Sequence, residues 1–452
     1  MIDPALSPIV KAYDVRGLAP QQLSEPVARA LGSAFADEVG ISAGRGAAVI
    51  GHDMRSSSPG LARAVGDGIR SRGGDICDIG LASTDELYAA SGRLDLAGVM
   101  VTASHNPAQY NGLKLCRAGA RPIGFDTGLR AIAELASEHL GTGPAEPRGT
   151  RTERDFLSEY ADLLHRLVPV GERPLAVVAA AGNGMAGHTV PAVFDGLPSI
   201  RLSAMYFELD GSFPNHDANP LDPSTLVDLQ AAVRDQGADL GLAFDGDADR
   251  CFVIDERGEP VSPSAITALI AARHLADHPG ATILHNVICS RAVPEIVLES
   301  GGVPVRTPVG HSLIKAEMAR TDAVFGGEHS GHFYSRDFYL ADSGMVAALH
   351  VLAALAETDQ PLSALMASYE RYTASGEINS TVADQQTVLA TLRERYSSYA
   401  LDELDGLTVT ADTWWFNVRA SNTEPLLRLN VEADDAPTME RVRDDVLELI
   451  RS

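Results

Sequence analysis

Leu96-Ala-Gly-Val-Met-Val-Thr102-Ala103-Ser104-His105-Asn106-Pro107 is an apolar run that ends abruptly in a small, polar, proline-terminated turn. A run of four to eight apolar residues bounded by turn formers reads as a buried strand, and the loop after such a strand can hold a nucleophile on a rigid support. Ser104 stands at the tip of that loop, a placement suited to a serine that carries a phosphoryl group. Taken alone, the turn is equally compatible with an ordinary strand-to-helix connection, because Ser, Asn and Pro are common turn and cap residues.

Two distant stretches repeat the arrangement with complementary chemistry. Asp239-Leu-Gly-Leu-Ala-Phe leads into Asp245-Gly-Asp247-Ala-Asp249-Arg250, and Asp322-Ala-Val-Phe-Gly-Gly leads into Glu328-His329-Ser330-Gly331-His332. The first copy begins at Asp95. An acidic residue, a short apolar run and a polar loop thus recur three times, at intervals too long for a solenoid, which predicts three copies of one α/β unit.

A chain of 452 residues is too long for one core and suits three or four domains. Its 36 Lys and Arg against 61 Asp and Glu give a formal charge of -25, which argues against nucleic acid or an anionic membrane as partner. The same field repels a phosphorylated small molecule at long range, so any such substrate needs local cations and backbone donors. Cys77, Cys116, Cys251 and Cys289 are too scattered for a disulfide scaffold or a zinc site. The N-terminus shows no export signal, and the most apolar helical stretch, Met345 to Ala356, is too short to span a bilayer. A cytoplasmic protein, monomeric or a small homo-oligomer, is expected.

Along the chain, Tyr13-Asp-Val-Arg16-Gly17 reads as a charged turn whose Gly17 could supply positive φ. Residues 1–152 and 153–255 are each expected to form an α/β domain, separated by the Gly/Pro-rich stretch from Gly141 to Gly149. Gly182-Asn-Gly-Met-Ala-Gly187 matches a dinucleotide fingerprint in spacing, but Asp210 leads into a Pro/Asn-rich loop, so tight strand-helix packing is the better reading. Residues 256–370 repeat the α/β scheme, and 371–452 change to a smaller α+β domain.

Asp245-x-Asp247-x-Asp249 gathers three carboxylates that must bind a cation or repel one another. Arg250 occupies the position where an EF-hand needs Gly, and both flanks read as strands, so a Mg²⁺ site beside a phosphate is the expectation. Arg419-Ala-Ser421-Asn422-Thr423 offers a guanidinium fork, two hydroxyls and an amide, with no carboxylate until Glu424, which suits a phosphate dianion. A plain hydrogen-bonded turn would use similar residues. Glu328 and Ser330 can accept from sugar hydroxyls, and His329 and His332 can move protons near neutral pH. Ser104 and His105 are neighbours in sequence, which is no sign of a hydrolase triad.

Together these four motifs, in this order, resemble the α-D-phosphohexomutases, most closely the phosphomannomutase/phosphoglucomutase branch, over essentially the whole chain. Thr102-Ala-Ser104-His-Asn-Pro looks like that family's phosphoserine loop, Asp245 to Arg250 its magnesium loop, Gly327 to His332 its sugar loop and Arg419 to Thr423 its phosphate loop. The resemblance implies three similar α/β domains plus a smaller C-terminal α+β domain around a central active-site cleft. It further implies transfer of a phosphoryl group between O1 and O6 of a hexose phosphate through phosphorylated Ser104 and a hexose 1,6-bisphosphate, which also serves as activator.

By the same resemblance, Mg²⁺ is held by Asp245, Asp247, Asp249 and the seryl phosphate, with Arg250 beside it. Arg16, Lys114 and His332 become candidates for proton transfer or charge stabilisation, and His311 approaches the substrate. Glu328 and Ser330 grip ring hydroxyls in two orientations, while Arg419, Ser421, Asn422 and Thr423 hold the phosphate that is not reacting. Ile288 departs from the pattern, since some relatives carry Lys there. His329 stands where phosphoglucosamine mutases usually look like Gln, which favours mannose or glucose phosphate. A phosphoglucosamine mutase and a catalytically silent sugar-phosphate-binding protein are the alternatives.

Overall fold

The apolar run before Ser104 forms the strand Ala97–Val101, and all of its residues are buried. It lies in a seven-stranded sheet between Ala47–His52, to which it is parallel, and Tyr110–Arg117, to which it is antiparallel. Asp75–Leu81 and Arg151–Glu153 extend the parallel set, and Val15–Leu18 pairs antiparallel with Tyr110–Arg117. Helices Glu25–Glu38, Ser58–Ser71 and Leu129–His139 bring Leu31, Phe35, Val65, Ile69 and Ile132 into one core with Ile50, Val99, Val101 and Leu113. A strand buried on both faces has no polar side to alternate with, and for that reason reads as a continuous apolar run.

The computed structural model describes residues 1–142, 146, 148–420 and 426–452, apart from the side chains of residues 311 and 312. These residues form two units, Met1–Val261 with Ser330–Ser363, and Ser262–His329 with Ala364–Ser452.

The first unit contains a second sheet, ordered Pro260–Val261, Cys251–Asp255, Leu240–Phe244, Leu175–Ala180 and Ile200–Met205. Leu240–Phe244 is parallel to Leu175–Ala180 and antiparallel to Cys251–Asp255, so the aspartate loop joins the two strands of a hairpin. The turn after Leu175–Ala180 is a packing device: a Cβ on Gly184 would stand 2.7 Å from Gly246 O, and one on Gly187 would stand 2.2 Å from Phe207 O. The same unit ends with a short hairpin, Phe333–Ser335 and Ala341–Asp342, and the helix Gly344–Ala356. Ser343 caps that helix by accepting from Val346 N. Among the described residues no helix is long and apolar enough to cross a membrane.

Gly17 departs from its reading as a turn. It lies in the strand Val15–Leu18 without positive φ, and a Cβ there would come within 2.5 Å of Ile9 Cγ2. Close packing, not backbone freedom, explains the residue.

In the second unit the strand Thr282–Asn286 lies between Val303–Thr307 and Phe325–Gly327, all parallel. Helices Pro263–Asp277, Ala292–Glu299 and His311–Thr321 accompany these strands. The remainder is an antiparallel sheet in the order Thr373–Thr381, Leu426–Ala433, Trp414–Ala420, Leu407–Thr410 and Ala400–Asp402, with helices Gln385–Arg395 and Ala436–Arg451. The three α/β modules and the smaller α+β end match the expected fold class.

Candidate active site

Ser104 and Asp245 each follow the last residues of a buried strand, where loops of open α/β sheets place their ligands. Ser104 Oγ donates to Asp245 Oδ2 at 2.9 Å, across 141 positions of sequence, and also lies 3.2 Å from His105 Nδ1. The approach is close enough to require glycine at 246, since a Cβ there would stand 2.3 Å from Ser104 O. Ser104 itself takes a left-handed backbone conformation, φ 49°, which a non-glycine residue adopts only when its surroundings enforce it.

Arg55 supplies that enforcement. Its side chain, 1 % exposed, donates from Nη2 to Ser104 O at 2.8 Å and Asn106 O at 2.7 Å, and from Nη1 to Pro107 O at 2.9 Å and Tyr110 O at 3.1 Å. Asp53 Oδ2 accepts from Arg55 Nε at 3.2 Å and so neutralises the buried guanidinium. Arg55 is not among the residues singled out in sequence. The available signal was an Asp-x-Arg pair directly after a buried strand.

Three carboxylates and two cations share the next layer. Lys114 Nζ donates to Asp247 Oδ2 at 2.6 Å and to Asp249 Oδ2 at 2.5 Å, while Arg250 Nε donates to Asp245 Oδ2 at 3.0 Å. Thr84 Oγ1, another residue not singled out in sequence, donates to Asp247 Oδ2 at 2.5 Å, and Thr84 N donates to Asp247 O at 3.1 Å. Burial opposes charge on Asp247, but the ammonium and hydroxyl donors outweigh it and hold that carboxyl well below the usual range. Burial opposes charge on Lys114 too, and the facing carboxylates outweigh it and keep the ammonium protonated.

Asp245 goes the other way. Burial pushes it up to about 7, with Asp249 and Asp247 adding to the rise and Arg250 opposing it. Two cations do not balance three buried carboxylates. Asp247 Oδ1 and Asp249 Oδ1 are buried without a hydrogen-bond partner, and one oxygen from each of the three aspartates lies within 4.8 Å of the others. The donor set therefore fits a divalent metal ion.

The remaining predicted residues fall into two groups. In the first unit, Arg16 donates to Asn106 Oδ1 and Asp14 Oδ2, each at 2.5 Å, so it braces the Ser104 loop. His332 Nε2 lies 3.8 Å from Asp249 Oδ1, and its Nδ1 lies 3.0 Å from Ser330 Oγ. His105 is held neutral by burial, with Arg250 and Arg16 adding to the effect.

In the second unit, Glu328 is buried and accepts from Gly310 N at 3.0 Å and Asn286 Nδ2 at 3.2 Å. His329 Nδ1 lies 2.9 Å from Ser264 Oγ, and burial lowers its pKa. Ile288 is buried. Arg419 is less isolated than its sequence neighbourhood implied, because Glu377 Oε2 accepts from its Nη2 at 2.7 Å. Ser421, Asn422, Thr423 and the side chain of His311 lie outside the described residues.

Four family descriptions match successive parts of the chain: phosphoglucomutase/phosphomannomutase alpha/beta/alpha domain I over residues 7–139, domain II over 156–258, domain III over 262–372 and the C-terminal domain over 377–449. The "Phosphohexose mutases" protein of Xanthomonas campestris pv. campestris is 40% identical over 451 residues, covering 98% of this chain and 99% of that protein. The chain belongs to the phosphoglucomutase/phosphomannomutase family. A phosphomannomutase of Escherichia coli strain K12 is also 40% identical over 451 residues, with 97% and 98% of the two chains covered. The crystal structure of a phosphoglucomutase/phosphomannomutase family protein from Burkholderia thailandensis superposes with a TM-score of 0.89 at 33% identity, covering 100% of this chain and 98% of that one. Membership of this family makes the chain an enzyme, an intramolecular phosphotransferase of the isomerase class.

Proposed function

We propose that the enzyme interconverts hexose 1-phosphate and hexose 6-phosphate, with mannose or glucose as the sugar, by way of phosphorylated Ser104. The observation that carries this reading is the 2.9 Å contact between Ser104 Oγ and Asp245 Oδ2 inside a buried array of three aspartates, Lys114 and Arg250. A seryl phosphate there adds negative charge to a site already short of positive charge. Asp245, Asp247 and Asp249 would hold Mg²⁺, which when bound supplies the positive charge that phosphoryl transfer draws on.

The chain's own residues divide the remaining work. In the first step the bond from Ser104 Oγ to phosphorus breaks as the substrate hydroxyl oxygen bonds to phosphorus and loses its proton. Lys114 stays protonated between two carboxylates, so it stabilises charge and leaves the proton to an imidazole. His332, in the same unit as Ser104, takes that proton and returns it when the other phosphate of the hexose 1,6-bisphosphate goes back to Ser104. Glu328 and Ser330 accept sugar hydroxyls, and His329 and His311 are further candidates to contact the substrate. Arg419, Ser421, Asn422 and Thr423 hold the distal phosphate, and Arg419 exchanges its Glu377 partner for that phosphate on binding. The four family spans support a division into domains near residues 152, 255 and 370.

A coupled assay with mannose, glucose and glucosamine 1-phosphates, each with Mg²⁺ and a trace of hexose 1,6-bisphosphate, tests the proposal. Turnover of mannose or glucose phosphate that disappears in Ser104→Ala supports it. Turnover of glucosamine phosphate alone, or normal turnover in Ser104→Ala, refutes it.

A further inference from the structure

Asp249 turns its two oxygens to different partners. Oδ2 is held by Lys114 Nζ, whereas Oδ1 is buried, has no hydrogen-bond partner, and lies 3.8 Å from His332 Nε2. Asp342 Oδ2 lies 3.9 Å from the same ring nitrogen, and the three candidate ligand atoms fall within 4.8 Å of one another. Ser330 Oγ, 3.0 Å from Nδ1, engages the opposite side of the ring.

We propose that Asp249, His332 and Asp342 form a second cation site, selective for zinc-class transition ions, which shares Asp249 with the aspartate triad. Two carboxylates converging on one imidazole nitrogen are stabilised by positive charge between them. The donor set is one nitrogen and two oxygens, and imidazole favours zinc over magnesium, which takes oxygen ligands. Ligand atoms on a tetrahedral zinc ion stand about 3.3 to 3.5 Å apart, so the observed 3.8 and 3.9 Å separations need only a slight contraction.

The supports are rigid. Asp342 ends the strand Ala341–Asp342, His332 directly precedes the strand Phe333–Ser335, and Asp249 lies just before Cys251–Asp255. Ser330 on Nδ1 orients the ring as an outer partner does at metal-bound histidines. The His332 side chain is 19% exposed, which gives an ion a way in to two otherwise buried carboxylates. Zinc held here occupies His332 Nε2 and Asp249 Oδ1, the same oxygen that the aspartate triad presents, and so stops turnover. That consequence for turnover rests on the mutase reading above; the binding itself does not.

The test is equilibrium dialysis of the full chain against Zn²⁺ in a large excess of Mg²⁺, with bound zinc measured by atomic absorption. One zinc per chain is expected to persist, with affinity weakened about tenfold or more in Asp342→Asn and in His332→Gln but retained in Asp247→Asn. Co²⁺ in place of zinc should give the visible bands of a nitrogen-bound, low-coordinate ion, lost in the same two variants. Should Asp342→Asn fail to fold by circular dichroism, His332→Gln carries the test. Complete displacement of zinc by Mg²⁺, or affinity within twofold of the parent in the folded variants, overturns the site. In the coupled assay, zinc should inhibit in a way that excess Mg²⁺ does not reverse. An enzyme without turnover on any hexose phosphate refutes the mutase reading and leaves the dialysis result to decide the zinc site.

Discussion

Lys114 Nζ stands 2.6 Å from Asp247 Oδ2, and both groups are buried. The ammonium is thus the resident counter-charge of the metal loop. Lys114→Met should leave Asp247 and Asp249 without it, at a cost of about 3 to 5 kcal/mol in metal-free buffer. Part of that loss should return on adding Mg²⁺, because the ion would compensate the same carboxylates. Thermal melts with and without Mg²⁺ check this, and a variant that melts at the parent temperature in metal-free buffer contradicts the assignment.

Thr84 holds the same oxygen of Asp247 as Lys114 does, from the start of the helix Thr84–Leu94. Two donors on Oδ2 leave Oδ1 turned toward the cation position. Thr84→Val keeps the shape and removes the donor, so the Mg²⁺ concentration for half-maximal turnover should rise about tenfold, with little change in kcat at saturating metal. Thr84→Ser should restore the parent value. An equal loss in both variants would point to packing.

Arg55 organises the Ser104 loop through four backbone carbonyls, those of Ser104, Asn106, Pro107 and Tyr110. Lysine cannot reproduce a planar fork. Arg55→Lys should lose about 3 kcal/mol of stability and at least tenfold in kcat, since the nucleophile's backbone is no longer fixed. Parent-like turnover in that variant would show that the strands alone hold Ser104.

How much of this was legible follows from where the partners lie in sequence. Asp95 and Asp322 marked two strand starts for a local reason: each takes the left-handed conformation that ends the preceding helix, φ 53° and 52°. Asp239 instead follows Gly237, which plays that part in the second copy, and its carboxylate accepts from Ala176 N at 2.7 Å. Ser104 and the aspartates were readable because loop chemistry is written in adjacent residues. Thr84 was not, since its partner lies 163 positions away and a threonine at a helix start is unremarkable by itself. Arg419 looked available for phosphate because Glu377 reaches it from the strand Thr373–Thr381, two places away in the sheet, and not from its own loop.

Glu86 offers a pH prediction away from the metal loop. Its carboxyl is buried, Oε2 has no hydrogen-bond partner, and His188 Nε2 lies 3.9 Å from it. Burial, reinforced by Asp85, pushes Glu86 up to about 8, while burial pushes His188 down, so the pair is neutral at pH 7. In the unfolded chain the carboxyl titrates near its ordinary value of 4.5. Between these two values the native state holds one proton more than the unfolded state, so stability falls as pH rises through the window, and the penalty is complete above pH 8. Glu86→Gln should remove this slope, matching the parent within about 1 kcal/mol near pH 5 and exceeding it by about 3 to 5 kcal/mol at pH 9. Urea unfolding at several pH values decides the matter: equal pH dependence in parent and variant would mean that a charged Glu86–His188 pair forms instead.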